Sequence, residues 1–227
     1  MTPSPHREPS VNRRPTLLAA IALTAAAALS LSACGSDDSS KDKDKIAGAD
    51  TGGETAASPS ASASSAAGRP KIELPSDLTL TFEDTDTGDA VKDAVLADSA
   101  ERMRAVDAAI TGTDPKGEAL AFYNTGKARE AALTWVGQFK DAGATLTGEA
   151  RYYDRNVTLQ GKTSAVVTFC ADESKGFSRD KKTNKIAKTP VTKNSYVLYN
   201  TKLDKNADGV WQTSQILSTR GAAQCQP

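Results

Sequence analysis

The chain has 227 residues, 38% of them hydrophobic and 25% charged, and its 28 Lys and Arg equal its 28 Asp and Glu. With no net positive charge, nothing in the overall balance points to nucleic acid as a partner. All twelve aromatic residues lie at or beyond Phe82, so the folded part is expected to be one C-terminal domain of roughly 150 residues, long enough to bury about two thirds of its unfolded surface.

At the N-terminus, Arg7, Arg13 and Arg14 precede an apolar run from Leu17 to Leu31, and Ser32, Ala33 and Cys34 follow. A basic start, a short apolar core and small residues before a cleavage point are the layout of an export signal, here residues 1–33. Its removal leaves 25 basic and 27 acidic side chains. The run is shorter than the ~20 residues a spanning helix needs. Leu31-Ser32-Ala33-Cys34 resembles the bacterial lipobox, which implies a diacylglycerol on the Cys34 sulfur, cleavage just before it, and a new amino group that can take a further chain such as palmitate. Two or three acyl chains hold a protein on a membrane without a spanning segment. Arg13-Arg14 also suits twin-arginine export, although Pro15 and Thr16 follow, so the route stays open.

Residues 34–70 comprise this Cys34 and a linker of Ser, Ala, Gly, Asp and Lys with one large apolar residue, Ile46. Such a composition cannot bury enough surface to offset its ordering entropy, which predicts a flexible tether. The domain is expected over residues 71–227, on the outer face of the cell membrane.

Leu78, Leu80 and Phe82 alternate with Thr79 and Thr81, the period of a half-buried strand. Asp89 then caps a helix whose Val91, Val95, Met103, Val106 and Ile110 fall on one face, and Gly112 stops it. Ala119 to Tyr123 make a short turn, and Thr125 opens a second helix that turns Ala128, Ala132, Trp135, Val136 and Phe139 inward and ends at Gly143. Alternation takes over afterwards. Residues 144–159, 164–170, 196–203 and 210–219 read as strands, with Asp208-Gly209 as a hairpin signal. Helices followed by an antiparallel meander predict an α+β fold.

The order of these elements over residues 74–227 resembles the nuclear transport factor 2-like cone, shared by polyketide-cyclase-like and ketosteroid-isomerase-like proteins. It resembles more narrowly a group of lipid-anchored envelope proteins of high-GC Gram-positive bacteria. The residues that carry the likeness are Asp98-Ser99-Ala100, Tyr153-Asp154-Arg155 with Val157-Thr158-Leu159, Cys170-Ala171-Asp172, Gly209-Val210-Trp211-Gln212 and Cys225. It implies helices covering the concave face of a curled antiparallel sheet, with a pocket at the open end.

With Cys34 lipidated, Cys170 and Cys225 remain as an even pair in an oxidising compartment, and a disulfide is the economical reading beside that of a free thiol. His6 is the sole histidine and leaves with the signal, so the mature chain holds no Cys–His pair, serine–histidine triad or histidine-bearing zinc site. Asp204-Lys205-Asn206-Ala207-Asp208-Gly209 imitates half a calcium loop. Gln215 stands where such a loop places a bidentate Glu, so a polar turn is expected there and no metal or cofactor. Between Lys175 and Lys193 lie seven cations and, after Lys175, one acid, Asp180. A solvated strand edge and a patch for anionic phospholipid or wall polymer both suit this segment. Candidates for the pocket are Tyr123, Trp135, Tyr152, Asp154 and Trp211, with no catalytic residue assigned. The functional expectation is a lipid-anchored binding module for a small apolar ligand or an envelope protein, with a cone-fold isomerase, cyclase or hydrolase as alternative.

Overall fold

The computed structural model describes residues 68–84 and 86–227. The export signal, Cys34 and nearly all of the linker lie outside these residues. The domain runs β1 (Leu78–Phe82), α1 (Ala90–Thr111), α2 (Glu118–Tyr123), α3 (Gly126–Asp141), β2 (Ala144–Leu159), β3 (Ser164–Asp180), β4 (Ile186–Ala187), β5 (Tyr196–Lys205) and β6 (Trp211–Arg220). The six strands form a curled, unclosed sheet in the order β1-β2-β3-β5-β6, with β4 paired to β3. The helices pack on it, so the fold is α+β.

The meander β2-β3-β5-β6 is antiparallel as expected, and the opening strand makes the sheet mixed. Leu78 to Phe82 pair with Gly148 to Tyr152 in parallel register. All three helices intervene between β1 and β2, which is the long crossover that parallel neighbours require. Strand β3 also runs ten residues beyond the expected end at Cys170. Helix α1 begins as expected: the Asp89 carboxylate accepts from the Val91 and Lys92 N–H groups, and Gly112 closes it in the left-handed conformation at φ 89°. Val91, expected inward, is exposed, whereas Val95, Met103, Val106 and Ile110 are buried.

Two register shifts on β2, between Glu149 and Arg151 and between Tyr153 and Asn156, bend the long β2–β3 ribbon. Gly148 lies just before the first, at φ 97°, opposite Gly176. A Cβ there would sit 2.1 Å from the Lys175 carbonyl oxygen, so only glycine lets the strands approach this closely. On the inner face four rings from four strands follow one another. Phe82 stacks on Tyr152 at 4.7 Å, Tyr152 meets Phe169 edge-on at 6.0 Å, and Phe169 stacks on Tyr199 at 5.0 Å.

Helix α1 is fixed through charge as well as apolar packing. Asp98 is buried, and its carboxylate accepts from Arg69 Nε at 3.1 Å, from Arg69 Nη2 at 2.9 and 2.8 Å, and from the Trp211 backbone N–H at 2.9 Å. Arg69, which composition assigned to the linker, is thus part of the domain. Four residues on, the buried Arg102 donates through Nε to Asn124 Oδ1 at 2.9 Å, and Asn124 in turn donates to the Leu120 carbonyl at 2.9 Å. Thr125 N–H donates to the Thr213 carbonyl, which joins the α2–α3 corner to β6.

Cys170 and Cys225 are joined in a disulfide spanning 55 residues, with Cα atoms 5.4 Å apart. Both are buried with Ala222 against Tyr153, Tyr196 and Leu198. The Tyr153 hydroxyl donates to the Cys225 carbonyl. In the chain-entropy model, closing a loop of this length contributes about 4 kcal/mol.

Arg69→Ala leaves a buried carboxylate with one main-chain donor, and the expected loss is about 3 kcal/mol. Chemical denaturation measures it. Lys71→Ala, which removes an ion pair lying in solvent, should leave the midpoint in place.

Candidate functional site

Between α1, α3 and the inner face of the sheet lies a cavity of about 870 Å³, within the size range of small-molecule sites. Met103, Val106, Ala132, Phe139, Leu146 and Ala150 supply apolar walls, and residues of the 189–195 segment line the same space. Trp135 from α3 contributes one face of its ring and leaves 46% of its surface open.

The polar groups in the wall come from both layers. Helix α1 contributes Arg102 and Asp107, five residues apart. Strand β2 contributes Tyr152, β3 Glu173, β5 Tyr199 and β6 Arg220. Glu173 is held at both oxygens, by Arg220 Nη1 at 2.8 Å and by the Tyr199 hydroxyl at 3.5 Å. Arg220 Nη1 also donates to the Asn194 carbonyl at 2.7 Å, which ties the 189–195 segment to β6. Asp107 differs from Glu173: among the described residues its carboxylate has no hydrogen-bond donor.

Protonation follows from these surroundings. Burial raises the Asp107 pKa to about 7, the Glu173 carboxylate adds to the rise, and Arg102 opposes it. Burial lowers that of the Arg102 guanidinium, against the influence of Tyr199, Tyr152 and Asp107. The two phenols move upward: Tyr152 chiefly by burial and then by Asp107, Tyr199 by burial and then by Glu173. Both keep their protons at neutral pH and stay hydrogen-bond donors. The wall therefore holds a carboxylate poised between its two forms beside a fixed cation and two phenolic O–H groups. Such a set can bind a polar group on an apolar ligand, and it can move a proton to or from a bound molecule.

Of the five residues expected at a pocket, Trp135 and Tyr152 line this one. Tyr123 is buried elsewhere, against Ala105, Ala119 and Val210. Trp211 is buried in the main core at the start of β6, where its N–H holds Asp98. Asp154 is exposed at the second register shift, with φ 50°, and its N–H donates to Glu83. It does not line the cavity, and neither does Arg155, which donates to the Leu96 carbonyl. In the turn that imitates a calcium loop, Asn206 Oδ1 accepts from the N–H groups of Asp208 and Val210, and Asp204 pairs with Lys202 and Ser214.

Arg102, Asp107, Glu173, Tyr199 and Arg220 line the cavity without standing in any motif of the sequence. A signal for the first did exist. Val95, Asp98, Arg102 and Val106 recur every three or four residues along one stripe of α1, so two charged residues stand at positions that a helix turns inward. Charge there marks a buried polar network or a site.

No protein-family model matches the chain, and no curated sequence does. Solved structures resemble it in outline. A ketosteroid isomerase-like protein from Erwinia carotovora atroseptica SCRI1043 is 15% identical, with a TM-score of 0.37 over 56% of this chain and 94% of that one. The intermembrane space region of the chloroplast protein ARC6 is 12% identical, with a TM-score of 0.40 over 61% of this chain and 99% of its own. A protein from Catenulispora acidiphila is 13% identical, with a TM-score of 0.40 over 57% of this chain and 93% of that one. Likenesses this distant carry nothing about activity, and the site is read from its own residues.

Asp107 has a consequence for stability. With its pKa near 7 in the folded chain and near 4 when unfolded, the folded form holds a proton through this window that the unfolded form has released. Its contribution to stability therefore falls as pH rises from about 4 to 7 and levels off above. Asp107→Asn should remove that slope and stabilise the domain at pH 8 by about 2–4 kcal/mol, as measured by denaturation of parent and variant across the pH range.

Proposed function

We propose that the domain is a binding module of the cell envelope whose cavity takes a small, largely apolar molecule carrying a hydrogen-bond donor. The observation that supports it is the Asp107 carboxylate, half-buried in the cavity wall without a donor of its own. A hydroxyl or amine on the ligand would satisfy this group while the apolar remainder fills the space between Val106, Phe139 and Leu146. Arg102 and Tyr152 offer donors to any acceptor on the same molecule. Native mass spectrometry of the intact chain is expected to show a retained small molecule. Ala131 lines the cavity from an exposed position on α3, and Ala131→Trp should exclude that molecule without unfolding the chain. Equal retention by the variant would place the binding elsewhere.

A second reading rests on the same residue. A carboxylate with a pKa near 7 facing two protonated phenols has the protonation states of an acid–base pair, so the cavity of an isomerase, cyclase or hydrolase would look like this. Asp107→Asn separates the two. A binding site loses only what a neutral amide acceptor gives up against a carboxylate, about tenfold in affinity and with no turnover to lose, whereas turnover that uses Asp107 as general base should fall by about 10²–10⁴-fold at saturating substrate.

The location belongs to the same proposal and rests on residues 1–34. Acylation of Cys34 after removal of residues 1–33 would hold the domain at the outer membrane face. No helix among the described residues is long and apolar enough to cross a membrane. Cys34→Ala should move the exported protein from the membrane to the soluble fraction, and a variant still cut after Ala33 that stays membrane-bound to the parent's extent would refute the anchor.

A further inference from the structure

We propose that the 181–194 segment and Trp135 form a docking surface for an anionic phospholipid bilayer, set at the rim of the cavity. This goes beyond the ligand reading and does not depend on acylation at Cys34.

Charge is the first observation. From Lys181 to Ser195 the chain carries Lys181, Lys182, Lys185, Lys188 and Lys193 and no carboxylate. Residues 181–194 are all exposed. Among the described residues none of these lysines belongs to an ion pair. Asp180, the adjoining acid, accepts from the Lys182 N–H and from both donors of Thr183, so it serves as the cap of the turn. A solvated edge strand needs a lysine or two to repel neighbours. Lys181 donates to the Ile110 carbonyl at 3.3 Å, and the other four lysines, with no carboxylate inside the segment, still exceed that need.

The second observation is apolar surface in the same place. Ile186 is 40% exposed and Val191 61% exposed, both within the basic segment. Thr189, Pro190 and Thr192 line the cavity, and so does Trp135, which brings the basic segment and the indole to one opening. Lysines interleaved with exposed aliphatic residues and a half-open tryptophan suit the boundary between headgroups and acyl chains, where an indole is amphipathic and cations meet a negative surface potential. A polymer of phosphates alone would satisfy the lysines and leave Ile186, Val191 and Trp135 in water. The apolar residues thus favour a bilayer over a wall polymer. Docked this way, the cavity opens toward the lipid, and an apolar ligand reaches it without crossing water.

The chain contains two tryptophans, and Trp211 is 1% exposed, so Trp135 is a reporter against a constant background. The intact chain is mixed with vesicles of phosphatidylcholine carrying about one third phosphatidylglycerol and brominated acyl chains, and tryptophan quenching is followed. The expected result is quenching on these vesicles, its loss in Trp135→Phe, and little quenching on brominated phosphatidylcholine alone. Lys185→Glu, Lys188→Glu and Lys193→Glu combined should weaken the partitioning at least tenfold, and so should 0.5 M salt. These side chains lie in solvent, and an unchanged thermal transition of the triple variant confirms that it folds. Equal quenching on neutral vesicles or in the triple variant overturns the proposal. So does absence of Trp135 quenching, whether or not the chain then binds isolated anionic wall polymer. Absence of docking by the parent chain with a retained ligand still present refutes this surface and leaves the cavity reading intact.

Discussion

One buried carboxylate sets the frame of the domain. Asp98 takes four hydrogen bonds from two directions, three from the Arg69 guanidinium and one from the Trp211 main chain. It thereby joins the first described residues, the middle of α1 and the start of β6, which are far apart in sequence. A carboxylate so deeply placed is tolerable because every direction in which it could lose water is filled by a donor. Remove one partner and the remaining charge is stranded, so the position of α1 over the sheet is a condition of its own stability. Arg102, one turn along the same stripe, and its bond to Asn124 carry the constraint to the α2–α3 corner.

The cavity follows from that placement. Helix α1 is held over the curled sheet by charge, and the bulges of β2 together with the Gly148–Gly176 approach bend the strands. The space left between the layers is walled by aliphatic residues and crossed by polar ones that have unequal company. Glu173 is satisfied by Arg220 and Tyr199, and Asp107 is not. Two carboxylates in one cavity thus occupy different chemical situations, and the unsatisfied one is the group that a ligand can reward.

The strand pattern of β1 and β2, the cap at Asp89 and the stop at Gly112 were legible because each is a local event written in a few adjacent residues. The pairing of Cys170 with Cys225 was legible by counting. The parallel register of β1 was not, since it depends on where three helices return the chain. Nor was the far half of β3, where Asp172-Glu173-Ser174-Lys175-Gly176 carries no apolar alternation but lies in a strand that curls with one face toward the cavity. Asp154 attracted notice as a carboxylate next to aromatic residues in a strand; the register shift beside it turns it to solvent. Asp107 escaped notice because its neighbours Val106 and Ala108 look like ordinary helix core, and only the fold shows that its side chain faces the cavity.

The position of Arg69 has a mechanical meaning. Any pull exerted along the chain from residues before Gly68 arrives first at this side chain, and its two-pronged grip on Asp98 passes the load at once into α1 and β6, bypassing the edge strand β1. The sheet is thus spared the peeling force that unzips an edge strand one hydrogen bond at a time, and unravelling that approaches from the C-terminal side is stopped at Cys225, which is bolted to β3.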